Sequence, residues 1–422
     1  MINKPENPNY CATVVKIKNL IDLAGFDNLK ATNIFGYQVL VGKDTDTLGV
    51  FFPAETQLSD MYCYKNNLYR HGDKNEYPDK KGFFEDNRRV RAIKFKGNTS
   101  NGFFMPLSSL EPIISEETLN ELKEGDSFDT LDGVEICRKY VVKTKEARPQ
   151  QQANRGFVRA DKLYFPEHID TENFFRNLEN LDKSKEIIVT QKLHGTSIRI
   201  ANTLVNRKKT FIERVASFFG AHIQMTEYAN LYGSRKVIKD ANNPNQAHYY
   251  DTDIWTMEGK KLDTVLPENY IVYAELVGWT PEGAELQRDY NYAVPKGQCE
   301  MYVYRIAIVN GRGQTTDLSW DAVKEFCTNN AIKHVPELWR GKLQDFNAQD
   351  YMDVRYYENG HSNAVWLGDP LGKEKIVDEG VCIRFEGLTP KIYKAKAPLF
   401  LEHETKILDT GEEDLESSQS NV

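Results

Sequence analysis

Lys192-Leu193-His194-Gly195-Thr196-Ser197 is the stretch on which the fold turns. The run before it, Glu186-Ile187-Ile188-Val189-Thr190-Gln191, is apolar at its centre and polar at its ends, the pattern of a buried strand. Lys192 therefore sits at a strand end, aimed into a pocket. Gly195 allows a backbone bend or a close approach that a Cβ would block. Ser197-Ile198-Arg199-Ile200 then resumes period-two alternation, so the unit is strand, turn, strand.

The order of the segments downstream gives this turn its meaning. They are YGSRK (Tyr232 to Lys236), VYAELVG (Val272 to Gly278), MYVYRIAI (Met301 to Ile308), DEGVCIRFE (Asp378 to Glu386) and PKIYKAK (Pro390 to Lys396). With Lys192 to Ser197 at its head, the series resembles motifs I, Ia, III, IIIa, IV and V of the covalent nucleotidyltransferases, the superfamily of ATP-dependent ligases and mRNA capping enzymes. The resemblance runs from about Glu186 to Lys396. Its nearest form is the ATP-dependent RNA ligases, in particular those whose N-terminal OB domain precedes the nucleotidyltransferase domain. DNA ligases and capping enzymes usually carry Asp where this chain has His194, whereas a subset of RNA ligases has His. Only 26 residues come after Lys396, and they are acidic, unlike the basic motif VI that ends the other classes.

Composition sets the frame. In 422 residues, 40% are hydrophobic, with 22 Tyr and 21 Phe, enough for two or three domains with substantial cores. No apolar run approaches the roughly 18 to 20 residues of a membrane span, and the start, MINKPENPNY, lacks the regions of a secretory signal. Six scattered cysteines without a C-x-x-C pair point away from zinc and disulfides and towards a reducing, cytoplasmic setting. A net charge of −8 works against indiscriminate adhesion to a polyanion, so nucleic acid must be gripped locally. The candidate ridge is Arg88, Arg91 and Lys94, in a stretch that alternates charge with apolar residues and reads equally well as a half-exposed strand.

The expected fold class is α+β: an N-terminal OB-like β-barrel followed by a nucleotidyltransferase domain of the DNA/RNA ligase type, ATP-grasp-like and built on antiparallel sheet. Five short strands between residues 10 and 110 (12–18, 35–41, 47–52, 88–96 and 101–106) suggest the barrel, with Ser59 to Asn87 as a loop excursion. The expected domains are residues 1–145, a linker at 146–160, the catalytic domain at 161–406, and an acidic disordered tail at 407–422. Helices are expected at Thr171 to Leu181, Thr210 to Phe219, Asp251 to Leu262 and Ser319 to Asn329. Phe211, Val215, Phe218 and Phe219 are expected to make core contacts.

A lysine attacks phosphorus only as the free amine, and an unperturbed ammonium has a pKa near 10.4, so neighbouring cations must lower it. Lys394 and Lys396 alternate on one strand, which points both amines to one face. Glu275, an acid inside an apolar strand, and Glu379, opening another, are the candidate ligands for Mg2+ or Mn2+. In MYVYRIAI, Tyr302 and Tyr304 share a face by period two, and the resemblance favours Tyr304 as the adenine platform.

The resemblance implies that Lys192 takes AMP from ATP. Gln191, Leu193, His194 and Gly195 would line the nucleotide, although relatives often have Glu where Gln191 stands. Arg199 and Arg235 would engage phosphate or ribose, Glu275 ribose or metal, Glu379 metal, and Lys394 with Lys396 the α-phosphate. Arg305 stands where many relatives have Asp and receives no role. The implied reaction joins RNA 3′-hydroxyl and 5′-phosphate ends in three steps, by a monomer that needs no membrane. The competing readings are a capping-type guanylyltransferase and a non-catalytic RNA-binding protein on the same scaffold.

Overall fold

Alternating apolar and polar residues dominate the chain, and they produce an α+β structure rich in antiparallel sheet. The computed structural model describes residues 3–142, 159–239, 246, 249–352, 367–368, 370–372 and 377–411. These fall into two compact units: residues 3–142, 172–181 and 396–411 form the first, and the described residues within 159–171 and 182–395 form the second. The linker expected at 146–160 lies outside the described residues except for 159 and 160. Of the expected tail, only residues 407–411 are described.

In the first unit a four-stranded sheet runs in the order Ser127–Phe128, Ala12–Lys16, Leu48–Pro53, Gly102–Pro106, and a three-stranded sheet joins Ile21–Asp22, Leu29–Ile34 and Tyr37–Gly42. Val14, Val50, Phe52, Tyr62 and Phe128 form its main core. The strands are spread over separate sheets, and among the described residues none closes into a barrel. Leu29–Ile34, absent from the expected set, pairs with Tyr37–Gly42 across the Phe35-Gly36 turn, where Gly36 takes φ +77°. The stretch 88–96 yields only the strand Ile93–Phe95, because Arg88 and Lys96 adopt φ of 52° and 45°. The expected loop at 59–87 opens with a helix, Asp60–Lys65, capped by Ser59 and burying Tyr62 and Cys63.

The helix expected over 171–181 breaks into a two-residue strand, a short α turn at Phe174–Asn177 and a 3-10 turn, with Phe174 and Phe175 buried. Asn173 competes for the local backbone by accepting from the Arg176 N–H, which starts the helix late. The helix Pro398–Asp409 extends into the stretch expected to be disordered. It buries Phe400, Glu404, Thr405 and Leu408 within the first unit.

The second unit holds two antiparallel systems. A seven-stranded sheet runs Ile238–Lys239, Thr226–Gly233, Thr196–Asn206, Tyr270–Gly278, Cys299–Val309, Thr315–Asp317, with Lys333–His334 pairing parallel to Cys299–Val309. A second sheet orders Lys391–Lys396, Gly380–Phe385, Glu186–Lys192 and Glu337–Lys342. Glu186–Lys192 lies centrally, which is why it reads as a near-continuous apolar run. Ser319 caps Trp320–Asn329, and Asp253 caps Ile254–Gly259, close to the expected bounds.

Phe211–Phe218 is the expected helix, started by a capping box between Thr210 and Glu213. Its apolar face is not core: Phe211 and Phe218 are 80% and 86% exposed. Spacing identified the stripe but could not say whether anything in the chain covers it. No described helix is long and apolar enough to cross a membrane.

Helix Pro398–Asp409 is fastened by a buried charge cluster. Arg89, with no side-chain exposure, pairs with Glu55 at 3.4 Å and with Asp409, and donates from Nη2 to the Thr405 carbonyl at 3.1 Å. The Thr405 hydroxyl donates to Glu55 Oε1 at 2.6 Å. Burial pushes the Glu55 carboxyl up from 4.5 to about 7, outweighing the opposing pull of Arg89. Between those pH values the folded chain holds a proton that the unfolded chain has released, so stability falls as pH rises through the window, by about 3 kcal/mol. Thermal unfolding followed by circular dichroism from pH 5 to 8 should show this slope, and Glu55→Gln should flatten it. An unchanged slope in the variant would place the titration elsewhere.

Candidate active site

Lys192 ends the strand Glu186–Lys192 opposite Gly380, with which it is in register. Its Nζ lies 2.7 Å from Glu379 Oε1, and the two side chains are 14% and 1% exposed. The turn after the lysine is clamped from several sides. Glu275 accepts from the Gly195 N–H at 3.1 Å through Oε1 and from the Ser197 hydroxyl at 3.2 Å through Oε2. Gln287 donates to the Gly195 carbonyl at 3.0 Å, and the Tyr292 hydroxyl accepts from the His194 N–H at 2.8 Å. A Cβ on Gly195 would stand 2.2 Å from the Leu276 carbonyl oxygen, so the glycine is required by the neighbouring strand.

Gln287 and Tyr292 come from a segment the sequence did not single out. Tyr292 belongs to the loop Gln287 to Val294, in which Asp289, Tyr292 and Ala293 all take positive φ. Such strain persists where surroundings hold it, and here it delivers a phenol oxygen to the turn after the lysine. Burial pushes the Tyr292 hydroxyl well above the usual phenol range, so it remains neutral. Tyr290, 4.7 Å ring to ring from His194, donates to the Val377 carbonyl at 2.7 Å. The tyrosine-rich run Asp289-Tyr290-Asn291-Tyr292 was the available signal.

A cleft opens beside Lys192, and Gln191, Leu193, Glu275, Lys394, His168, Arg235, Tyr304 and Arg305 line it. The Cys382 thiol registers how closely the charges gather. Burial raises it to about 11, with Lys192 and Lys394 lowering it and Glu379 and Glu275 raising it. Arg235 reaches Asp170 at 2.8 Å. Gln191 is held by the Leu371 backbone, accepting from its N–H at 2.7 Å and donating to its carbonyl at 2.6 Å, and also donates to Asp378 at 3.1 Å.

Tyr304 lines the cleft for a reason that period-two reading misses. Tyr273 pairs with Arg305 and Ala274 with Val303, so Tyr304 is the extra residue of a β-bulge. The bulge brings Tyr304 and Arg305 together to the cleft, while Tyr302 leaves it and donates to Glu300 at 2.6 Å. Tyr304 and His168 Nδ1 share a 2.5 Å hydrogen bond. Arg305 is spent on Asp317 and on the Tyr273 ring, 4.4 Å away.

Several expected members fall elsewhere. Arg199 is wholly buried and does not line the cleft. Its Nε donates to the Ser234 carbonyl at 3.1 Å and its Nη1 to that of Phe165 at 2.8 Å, and burial lowers its pKa to about 10. It stitches the sheet, because its strand position faces the covered side. Lys396 does not line the cleft either. Its amine pairs with Glu404 at 3.0 Å and lies 5.2 Å from the Phe400 ring, within the first unit. Alternation gave Lys394 and Lys396 a common face, but the helix after the strand supplies Lys396 with a nearer carboxylate. Of the cations expected around Lys192, Lys394 lines the cleft and Lys396 does not, while Glu379 contacts the amine directly.

For a metal, the candidates remain Glu275 and Glu379. Among the described residues no group of three or more His, Cys, Asp or Glu could hold an ion. Two carboxylates fit Mg2+ or Mn2+, which take oxygen ligands and are commonly held by one or two carboxylates together with phosphate and water.

In the first unit, Arg88 donates from Nε to the Leu58 carbonyl at 3.0 Å and serves the fold. Arg91 lines a groove with Arg70, Phe83, Ile93 and Phe95, and Lys94 is exposed on the other face of that short strand. From the alternating stretch the groove wall takes Arg89, Val90, Arg91, Ile93 and Phe95, and leaves out Arg88 and Lys94.

The RNA ligase family profile matches residues 185–396, half of the chain. Solved structures of Naegleria gruberi RNA ligase share the fold. A mutant with ATP and Mn has 14% identity and a TM-score of 0.57, covering 95% of this chain and 99% of that one. The ligase with PPi has 14% and 0.57, covering 94% and 98%, and an apo mutant 15% and 0.58, covering 94% and 99%. No curated protein matches. With its profile running from the buried strand before Lys192 to the end of the strand Lys391–Lys396, the chain belongs to the RNA ligase family.

Proposed function

We propose that the chain is an ATP-dependent RNA ligase acting through lysyl-AMP, with Lys192 as nucleophile. The observation that carries this reading is a half-sheltered amine at a strand exit, facing a cleft, with Glu379, Glu275 and Lys394 gathered around it. In the first step the Lys192 amine attacks the α-phosphate, a P–N bond forms and pyrophosphate leaves. AMP then passes to an RNA 5′-phosphate, and a 3′-hydroxyl displaces AMP to seal the strand. Each is an in-line displacement, served by positioning and charge neutralisation. The likeness to a ligase solved with ATP and Mn supports the choice of nucleotide.

Lys192 must lose a proton before it attacks, and its ion pair with Glu379 opposes that loss. Glu379 and Glu275 would hold a divalent cation, whose charge would compete for the carboxylate and disfavour the ammonium. Lys394 neutralises charge building on the α-phosphate. Tyr304 offers its ring to the adenine, and Arg235 a guanidinium to ribose or phosphate. Glu275 fixes the turn, so that Lys192 leaves its strand in one direction.

RNA is gripped by the first unit, an OB-like module in role, through the groove of Phe83, Ile93 and Phe95 with Arg70 and Arg91 beside it. Phe83 and Phe95, 50% and 47% exposed, suit base stacking, and the arginines suit phosphate. Nick sealing or RNA repair in the cytoplasm is the setting this reading favours.

Incubation with α-labelled ATP and Mg2+ should give a labelled protein band that Lys192→Ala abolishes. Label from GTP alone would favour a capping-type enzyme, and none from either nucleotide a binding protein. A second outcome concerns the groove: Phe83→Ala with Phe95→Ala should slow sealing roughly 10-fold or more while leaving self-labelling within about twofold. Equal loss of both steps would refute the assignment of RNA to this groove.

A further inference from the structure

Arg384 lines the cleft, yet none of the three steps of ligation gives it a task. Its side chain is 3% exposed. Nε donates to Glu386 at 3.2 Å and Nη2 to the Leu318 carbonyl at 2.9 Å, while Nη1 has no hydrogen-bond partner among the described residues. A buried guanidinium donor left over in this way is costly unless something arrives to accept from it. The neighbouring polar groups are already spent, Arg305 on Asp317 and Gln191 on Leu371 and Asp378.

Position says what could arrive. Gly380 stands opposite Lys192 and Arg384 opposite Ile188, four residues along the same strand pair. At about 3.3 Å per residue that is roughly 13 Å, the scale of a nucleoside monophosphate with its phosphate at the lysine and its base at the far end. Cys382, between them on the same face, also lines the cleft. A guanidinium only donates. On the outer edge of adenine the ring nitrogen N1 accepts, whereas in guanine and hypoxanthine N1 carries a proton and would oppose a donor.

We propose that Arg384 reads the base, its Nη1–H donating to adenine N1, so that the cleft prefers ATP over nucleotides with a protonated N1. This rests on the ATP-dependent ligase reading. Arg384 touches the base rather than the reacting atoms, so its effect falls on nucleotide KM.

The test is self-labelling of the full chain with ATP, 1-deaza-ATP and 7-deaza-ATP, the analogues replacing N1 or N7 by CH. In the unmodified protein, 1-deaza-ATP should raise KM roughly 10- to 100-fold, as expected for a hydrogen bond from a charged donor, while 7-deaza-ATP leaves it within about threefold. Arg384→Met should raise KM for ATP by a similar factor and show little further loss with 1-deaza-ATP. Arg384→Lys, which keeps the charge, provides the same comparison if the methionine variant misfolds. Equal use of ATP and 1-deaza-ATP by the unmodified protein would overturn the proposal. So would losses from variant and analogue that simply multiply. Absence of label from ATP itself would instead strike the ligase reading and this assignment with it.

Discussion

Everything at the site depends on two carboxylates being held against the turn at the exit of a single strand. Glu379 meets the Lys192 amine, and Glu275 meets the backbone and hydroxyl three to five residues further on. Glu275 does positional work. A half-buried acid in an apolar strand is tolerated because its oxygens accept from the Gly195 N–H and the Ser197 hydroxyl, so its desolvation is compensated in the contact that holds the turn after Lys192. The Glu379 contact is different in kind. It sets a carboxylate against an amine, a pairing in which each charge favours the other.

The strand bearing Tyr304 shows a second constraint. A regular strand would send Tyr304 and Arg305 to opposite faces, and only the bulge at Tyr304 sends both to the cleft. Arg305 then needs a counter-charge, which Asp317 on the adjacent strand supplies. The irregularity lets one strand give an aromatic surface and a buried ion pair to the same small region.

The strand that ends at Lys192, the acid in the strand Tyr270–Gly278 and the helix capped by Ser319 were legible because each rests on local pattern: an apolar run, an isolated carboxylate, a cap. Arg199 and Lys396 were not. Both sit where alternation and motif order put them, but their side chains are claimed by groups outside their own strands, the Phe165 and Ser234 carbonyls in one case and Glu404 in the other. The loop bearing Tyr292 was hidden for a related reason, since positive φ at three non-glycine residues leaves no compositional mark. The exposed face of Phe211–Phe218 failed in the opposite sense. Helical spacing announced an apolar stripe, and burial depends on whether another element exists to cover it.

Because the first unit draws a helix from residues 398–409, its charge cluster cannot be completed until those residues have been made. Arg89 and its acceptor on Thr405 are 316 residues apart, and at about 5–20 residues per second a ribosome needs roughly 15 to 60 s to travel between them. Throughout that interval a cationic side chain destined for full burial lacks its helix. The amino-terminal part of the unit therefore waits for residues 398–409, and any factor that shields nascent chains has its opportunity in that interval.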